Sequence, residues 1–186
     1  MTNLPPAPDK NRNGILRWEA AGVIFIVIAG SLFHFFYQWF GPSPLLAAVF
    51  PVNESVWEHF KLGYWSLVLF SIVQSLTMRW RVVNFWAAKG IGALVLQAVI
   101  AFSFYAYTPL AGRSILAADI GSYILGTVLC QAVSFWILVK SRPSRNFNNM
   151  GIWLLLLHGL ALVLFTFHPL RFPIFMDSRT GAYGIP

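Results

Sequence analysis

The sequence predicts an all-α fold: a five-helix transmembrane bundle, N-terminus cytoplasmic and C-terminus extracytoplasmic. Three observations carry this. The chain has 186 residues, 58% of them hydrophobic and only 10% charged, against about 25% charged in a soluble domain, and its mean hydropathy is +0.66. Five long apolar runs approach or exceed the roughly 20 residues that cross a bilayer as a helix. Lysine and arginine are unevenly shared between the connecting segments, as they are in membrane proteins.

The runs follow in order. The first extends from about Leu16 to Phe40 through Val23-Ile-Phe-Ile-Val-Ile28, with Trp18 and Trp39 near its ends. The second covers Phe60 to Met78, between Trp57 and Trp80. The third runs from Val83 to Tyr107, with Trp86, Tyr105 and Tyr107 near its boundaries, and the fourth from Ile115 to Val139. The fifth, Gly151 to Phe167, is the shortest but very apolar (Trp153-Leu-Leu-Leu-Leu157). None alternates like a strand, so helices are expected rather than a barrel. Gly41 to Pro51 holds three prolines and is expected on the surface or as a short re-entrant piece.

Three regions result. Residues 1–15 are polar and Pro-rich and read as a disordered cytoplasmic tail, with no cleavable signal peptide evident. Residues 16–168 form the five-span membrane domain. Residues 169–186 read as an extracytoplasmic tail packed on the bundle. Their prolines and glycines oppose a helix, while Phe172, Ile174 and Phe175 make them too apolar for a disordered tail.

Orientation follows from the basic residues. With the N-terminus inside, Lys10, Arg12, Arg17, Arg79, Arg81, Lys89, Lys140, Arg142 and Arg145 fall on the cytoplasmic side. Lys61, Arg113, Arg171 and Arg179 fall outside, a bias of nine to four. The net charge of +7 therefore reads as basic membrane flanks, not as a nucleic-acid surface. The partner is the lipid bilayer, and the expected location is the plasma membrane, multi-pass. The single cysteine, Cys130, lies in an apolar run and reads as a packing residue, which excludes an intrachain disulfide. Oligomerisation stays open.

Four of the six acids and three of the four His gather on the outer side. The densest stretch is Pro51-Val-Asn-Glu-Ser-Val-Trp-Glu-His59. Ionisable groups near a bilayer are costly, so they mark a candidate site. The candidates are His34, Glu54, Glu58, His59, Asp119, His168 and Asp177. Glu54, Glu58, His59, His34 and Asp119 are the candidate ligands of a divalent metal ion, because imidazole with carboxylate suits zinc-like ions. A plainer reading competes. Ser55-Val-Trp-Glu58 matches a capping box in which Glu58 reaches back to the cap. Glu54 and Glu58 at i,i+4 would repel, so a cation, a shared proton or Lys61 should compensate. Asp119 needs an interhelical partner, with His34 or His158 as candidates. Tyr183 is expected near the cluster with the tail.

The block Pro51–His59, followed by Phe60-Lys61, resembles a family of small prokaryotic multi-pass membrane proteins known only as a domain of unknown function. Phe172-Pro-Ile-Phe-Met-Asp177 and Gly181-Ala-Tyr-Gly-Ile185 resemble that family's ending, with Ser178 where Pro is expected. The resemblance covers essentially the whole chain and implies a bacterial or archaeal plasma membrane. It implies no mechanism. Three function classes stay open: a cation- or proton-binding protein such as a small transporter, a membrane enzyme acting on a lipid or lipid-linked substrate, and a structural or accessory subunit. A small-molecule, lipid or ion ligand fits the first two.

Overall fold

The structure, a computed structural model, describes residues 9–78 and 82–185. Residues 1–8, Arg79, Trp80, Arg81 and Pro186 lie outside the described residues. So do the Pro-rich start and the three loop residues used above for orientation and boundaries. The described chain is helical: α1 (Asp9–Phe40), α2 (Pro44–Val49), α3 (Val56–Thr77), α4 (Phe85–Ala111), α5 (Leu116–Lys140) and α6 (Arg145–Phe167), then a 3-10 turn at Pro173–Phe175. One isolated bridge joins Met176 to Tyr183.

Four helices, α1, α4, α5 and α6, are long and apolar enough to cross a membrane. The second expected span, α3, is not one of them. It carries Glu58, Lys61, Ser66, Ser71 and Gln74, and all five are buried. This helix packs against α1, α4 and α6; Glu58, Lys61 and Gln74 bond to neighbouring elements, while Ser66 and Ser71 donate back to carbonyls of α3 itself. α1 leaves Ile24 and Ile28 more than half exposed, as a lipid-facing helix would.

Caps explain several boundaries. α3 starts four residues before the expected Phe60 because Ser55 Oγ accepts the Glu58 N–H at 3.2 Å. α6 starts six residues before Gly151, where Ser144 Oγ accepts the Phe147 N–H at 3.2 Å. α1 already begins at Asp9, inside the stretch 1–15 assigned to a tail. The Gly41–Pro51 segment folds into α2, with Pro44 in its first turn and Ala47 buried.

Small residues let the helices approach. A Cβ on Gly151 would stand 2.3 Å from the backbone N and Cα of Ala87, so α6 rides directly on α4. A Cβ on Gly126 would stand 2.9 Å from the Leu96 carbonyl oxygen, which seats α5 on α4. Ile26, Leu67, Leu96 and Leu162 fill the core between them.

Glu19 and Lys89 lie in the N-terminal halves of α1 and α4, and both are buried. Lys89 Nζ donates to the two Glu19 oxygens at 2.7 and 2.8 Å, and Gln74 adds an N–H at 2.9 Å. The pair joins three helices, α1, α3 and α4, and that partnership is invisible along the chain.

Candidate functional site

The loop before α3 is built by short side chains. Asn53 Oδ1 accepts the Ser55 N–H at 2.9 Å, an Asx turn that holds the chain just ahead of the Ser55 cap. Glu54 therefore sits outside the helix, and His59 sits in its second turn. His59 Nδ1 lies 2.8 Å from the Ser55 carbonyl oxygen. A carbonyl oxygen only accepts, so Nδ1 carries a hydrogen and Nε2 is the ring atom turned to the site.

That Nε2 stands 3.5 Å from Glu54 Oε2. From α1, His34 brings its Nε2 to 3.8 Å from the same oxygen, and the two imidazole centroids are 5.4 Å apart. One ligand-type atom from each of His34, Glu54 and His59 lies within 4.8 Å of the other two. All three side chains are half-buried. The His34 imidazole holds the Glu54 carboxyl below its ordinary value of 4.5; burial opposes this, and His59 and Arg179 add to it. Arg179 Nη2 is 3.6 Å from Glu54 Oε1.

Two cavities meet at this triad. One, of about 280 Å³, runs down between the helices and is lined by His34, Glu54, His59, Asp119, Tyr123 and Arg179 among others. The second, of about 330 Å³, lies under the tail beside Tyr37, Asn53 and Tyr183. His34, Glu54 and Arg179 line both.

Glu58 does not join the triad. Its Oε2 accepts from Lys61 Nζ at 2.7 Å and from the Val52 N–H at 3.0 Å, and its Oε1 accepts from Thr166 Oγ1 at 2.8 Å. The capping box is therefore half formed: Ser55 caps Glu58, but the Glu58 carboxylate turns inward rather than back to Ser55. Lys61 Nζ also donates to the Ala47 carbonyl at 2.6 Å, in the last turn of α2, where orphan carbonyls favour a cation. Lys61 is thus the compensating charge, and Glu58 with Lys61 forms a buried strut joining α2, α3 and α6.

Asp119 lies in the first turn of α5 and lines the 280 Å³ cavity with the triad, but outside the three-ligand cluster. Its partner is neither His34 nor His158. Tyr107 Oη donates to Asp119 Oδ1 at 2.6 Å. Tyr107 is 12 residues away, across the α4–α5 turn, and the turn brings the two together. His158 packs on the Tyr64 ring, centroids 5.0 Å apart. His168 is exposed at the end of α6 and lines neither of the two cavities.

Asp177 is buried and accepts the N–H groups of Glu54 (2.9 Å), Arg179 (2.8 Å) and Thr180 (2.7 Å). Burial alone would raise its pKa, but these donors outweigh burial and hold it below 3.8. Asn53 Nδ2 donates to the Gly184 carbonyl at 2.8 Å. Phe175 is buried against Trp57 and Phe165. Residues 175–184 thus fold over the site and deliver Arg179 to it. The sequence reading takes Arg179 only as an outer-side charge and Tyr107 only as a boundary aromatic, and it passes over Thr166 altogether. Only the proximity of Arg179 to Asp177 in the chain could have flagged any of them.

A family model described as a family of unknown function, DUF6512, matches residues 9–185. Comparison with curated proteins and with solved structures finds no match.

Proposed function

The chain belongs to DUF6512, a family of unknown function, and from its site we propose that it is a multi-pass membrane protein that binds a divalent transition-metal ion. His34, Glu54 and His59 are the ligands. One observation carries the reading: His34, Glu54 and His59 each place one ligand atom within 4.8 Å of the other two, and the Ser55 carbonyl holds His59 Nδ1 so that Nε2 is the atom turned to the Glu54 carboxylate at 3.5 Å. One carboxylate between two imidazoles is a donor set that a metal ion can satisfy all at once. The Ser55 carbonyl is the kind of outer partner that orients a metal-bound imidazole.

Donors about 2.0–2.1 Å from a tetrahedral ion stand roughly 3.3 Å apart, and the two His–Glu54 separations are 3.5 and 3.8 Å. All three ligand atoms lie within 4.8 Å of one another, so the side chains must draw in to take the ion. Two imidazoles with one carboxylate suit zinc-like ions. Three protein ligands leave a coordination position open, as in sites that act on a bound molecule. In the bilayer, the bias of basic residues puts the N-terminus in the cytoplasm and the site at the extracytoplasmic face of the plasma membrane.

The test is metal content, by mass spectrometry, of protein stripped with chelator and reloaded. Wild type should take up one equivalent of zinc. His34→Ala, Glu54→Gln and His59→Ala should each retain less than a tenth at the same free zinc. Asp119→Asn should match wild type. Negligible uptake by wild type, or full uptake by Glu54→Gln, sinks the proposal.

A further inference from the structure

The cavity beside the triad has a vertical polarity. At its mouth stand Arg179, from the tail, and Asp119, in the first turn of α5. At its floor stand Leu62 and Ile100, both buried, with Phe104 above them. Ile100 lies about 16 Å by helical rise from the end of α4 at Ala111, at the depth of lipid chains. The polar groups low in the cavity are already committed: Tyr123 Oη donates to the Ile26 carbonyl at 2.6 Å, and Ser122 Oγ to the Asp119 carbonyl at 2.8 Å. The floor therefore offers apolar surface, whereas the mouth offers charge.

The sign of that charge depends on the ion. Glu54 and Asp119 bring two formal negative charges and Arg179 one positive. Without a metal the mouth is negative. A divalent ion on the triad makes it positive by one. Only the loaded site then attracts an anion, and the open metal position and Arg179 supply two contacts for its oxygens.

We propose that this cavity binds a single-chain amphiphile with an anionic oxygen head, carboxylate or phosphate. The head lies at the metal and Arg179, and the chain lies on Phe104, Ile100 and Leu62. This rests on the metal reading for its polar end and on the cavity floor for its apolar end. A volume of about 280 Å³ is near the lower limit of ligand pockets, so it takes the head and the first part of a chain, not a two-chain lipid.

The experiment measures binding of radiolabelled palmitate and lysophosphatidic acid to full-length protein in zwitterionic nanodiscs. Acetate and inorganic phosphate serve as head-only competitors. Zinc-loaded wild type should bind at least one amphiphile, and stripping the zinc should weaken it tenfold or more. Arg179→Ala, at an exposed side chain, should weaken it several-fold with zinc content unchanged. Ile100→Trp, which fills the floor, should weaken it tenfold with zinc content unchanged. The inference is overturned if acetate or phosphate competes at the amphiphile's own affinity, which makes the cavity a free-anion site. It is overturned equally if stripping zinc or Arg179→Ala has no effect. Failure of wild type to take up zinc sinks the metal reading; zinc uptake without amphiphile binding sinks this one alone.

Discussion

Glu54 and Glu58 stand four positions apart and have opposite environments. Glu54, outside the helix, keeps its carboxylate among two imidazoles and an exposed arginine. Glu58, inside it, spends both oxygens on Lys61, Val52 and Thr166. Removing one partner of a buried pair strands the other charge and costs about 3–5 kcal/mol. Glu58→Gln is therefore expected to lower the thermal midpoint sharply, because Lys61 is fully buried. The double variant Glu58→Leu, Lys61→Met should melt above Glu58→Gln, since no charge is then stranded. Glu54→Gln, at a half-buried carboxylate, should lower the midpoint less than Glu58→Gln while losing its metal. A double variant no more stable than Glu58→Gln would contradict the strut. The Ser55 cap was legible in the local pattern. The Thr166 partner of Glu58 was not, because it lies 108 residues away.

Among the elements, the tail has a pH signature. Asp177 and Glu54 both have folded-state pKa values below their ordinary ones. A depressed carboxylate contributes stability that is complete above the ordinary value and is lost as pH falls through the folded one. Hydrogen exchange at residues 176–182 should thus stay slow from pH 7 to 5, after correction for intrinsic rates, and quicken below about pH 4. Asp177→Asn should show the fast pattern already at pH 7. Loss of protection between pH 7 and 5 would place the grip elsewhere. Helix crossings give a second prediction. Gly151→Ala puts a methyl 2.3 Å from the Ala87 backbone, so α6 must move off α4 at a cost of ~1–3 kcal/mol or more. Gly121→Ala, with nothing within 4 Å of its Cβ, should be neutral or stabilising in thermal melts, since Ala is the better helix former. Equal melting of the two variants would refute the close α4–α6 contact. Neither glycine could be ranked from the sequence, because the ranking depends on which face meets a neighbour.

For the whole molecule, the proposed orientation makes Ser178 and Asn146 reporters of opposite sides. Both are exposed. On intact cells a membrane-impermeant maleimide should label Ser178→Cys and not Asn146→Cys, with both labelled after lysis; the reverse pattern would invert the topology. The sequence by itself determined the helical character, four of the apolar helices and the gathering of acids and imidazoles near the entry to α3. Each follows from composition and local pattern, which bilayer thickness and backbone hydrogen bonding constrain strongly. Tertiary structure alone decided that α3 is the polar centre and that Glu19 and Lys89 pair inside the bundle. It also decided that Glu54 meets His34 and His59 while Glu58 braces the fold. The physical reason is one: a charge's role depends on its partner, and helix packing chooses that partner from the other end of the chain.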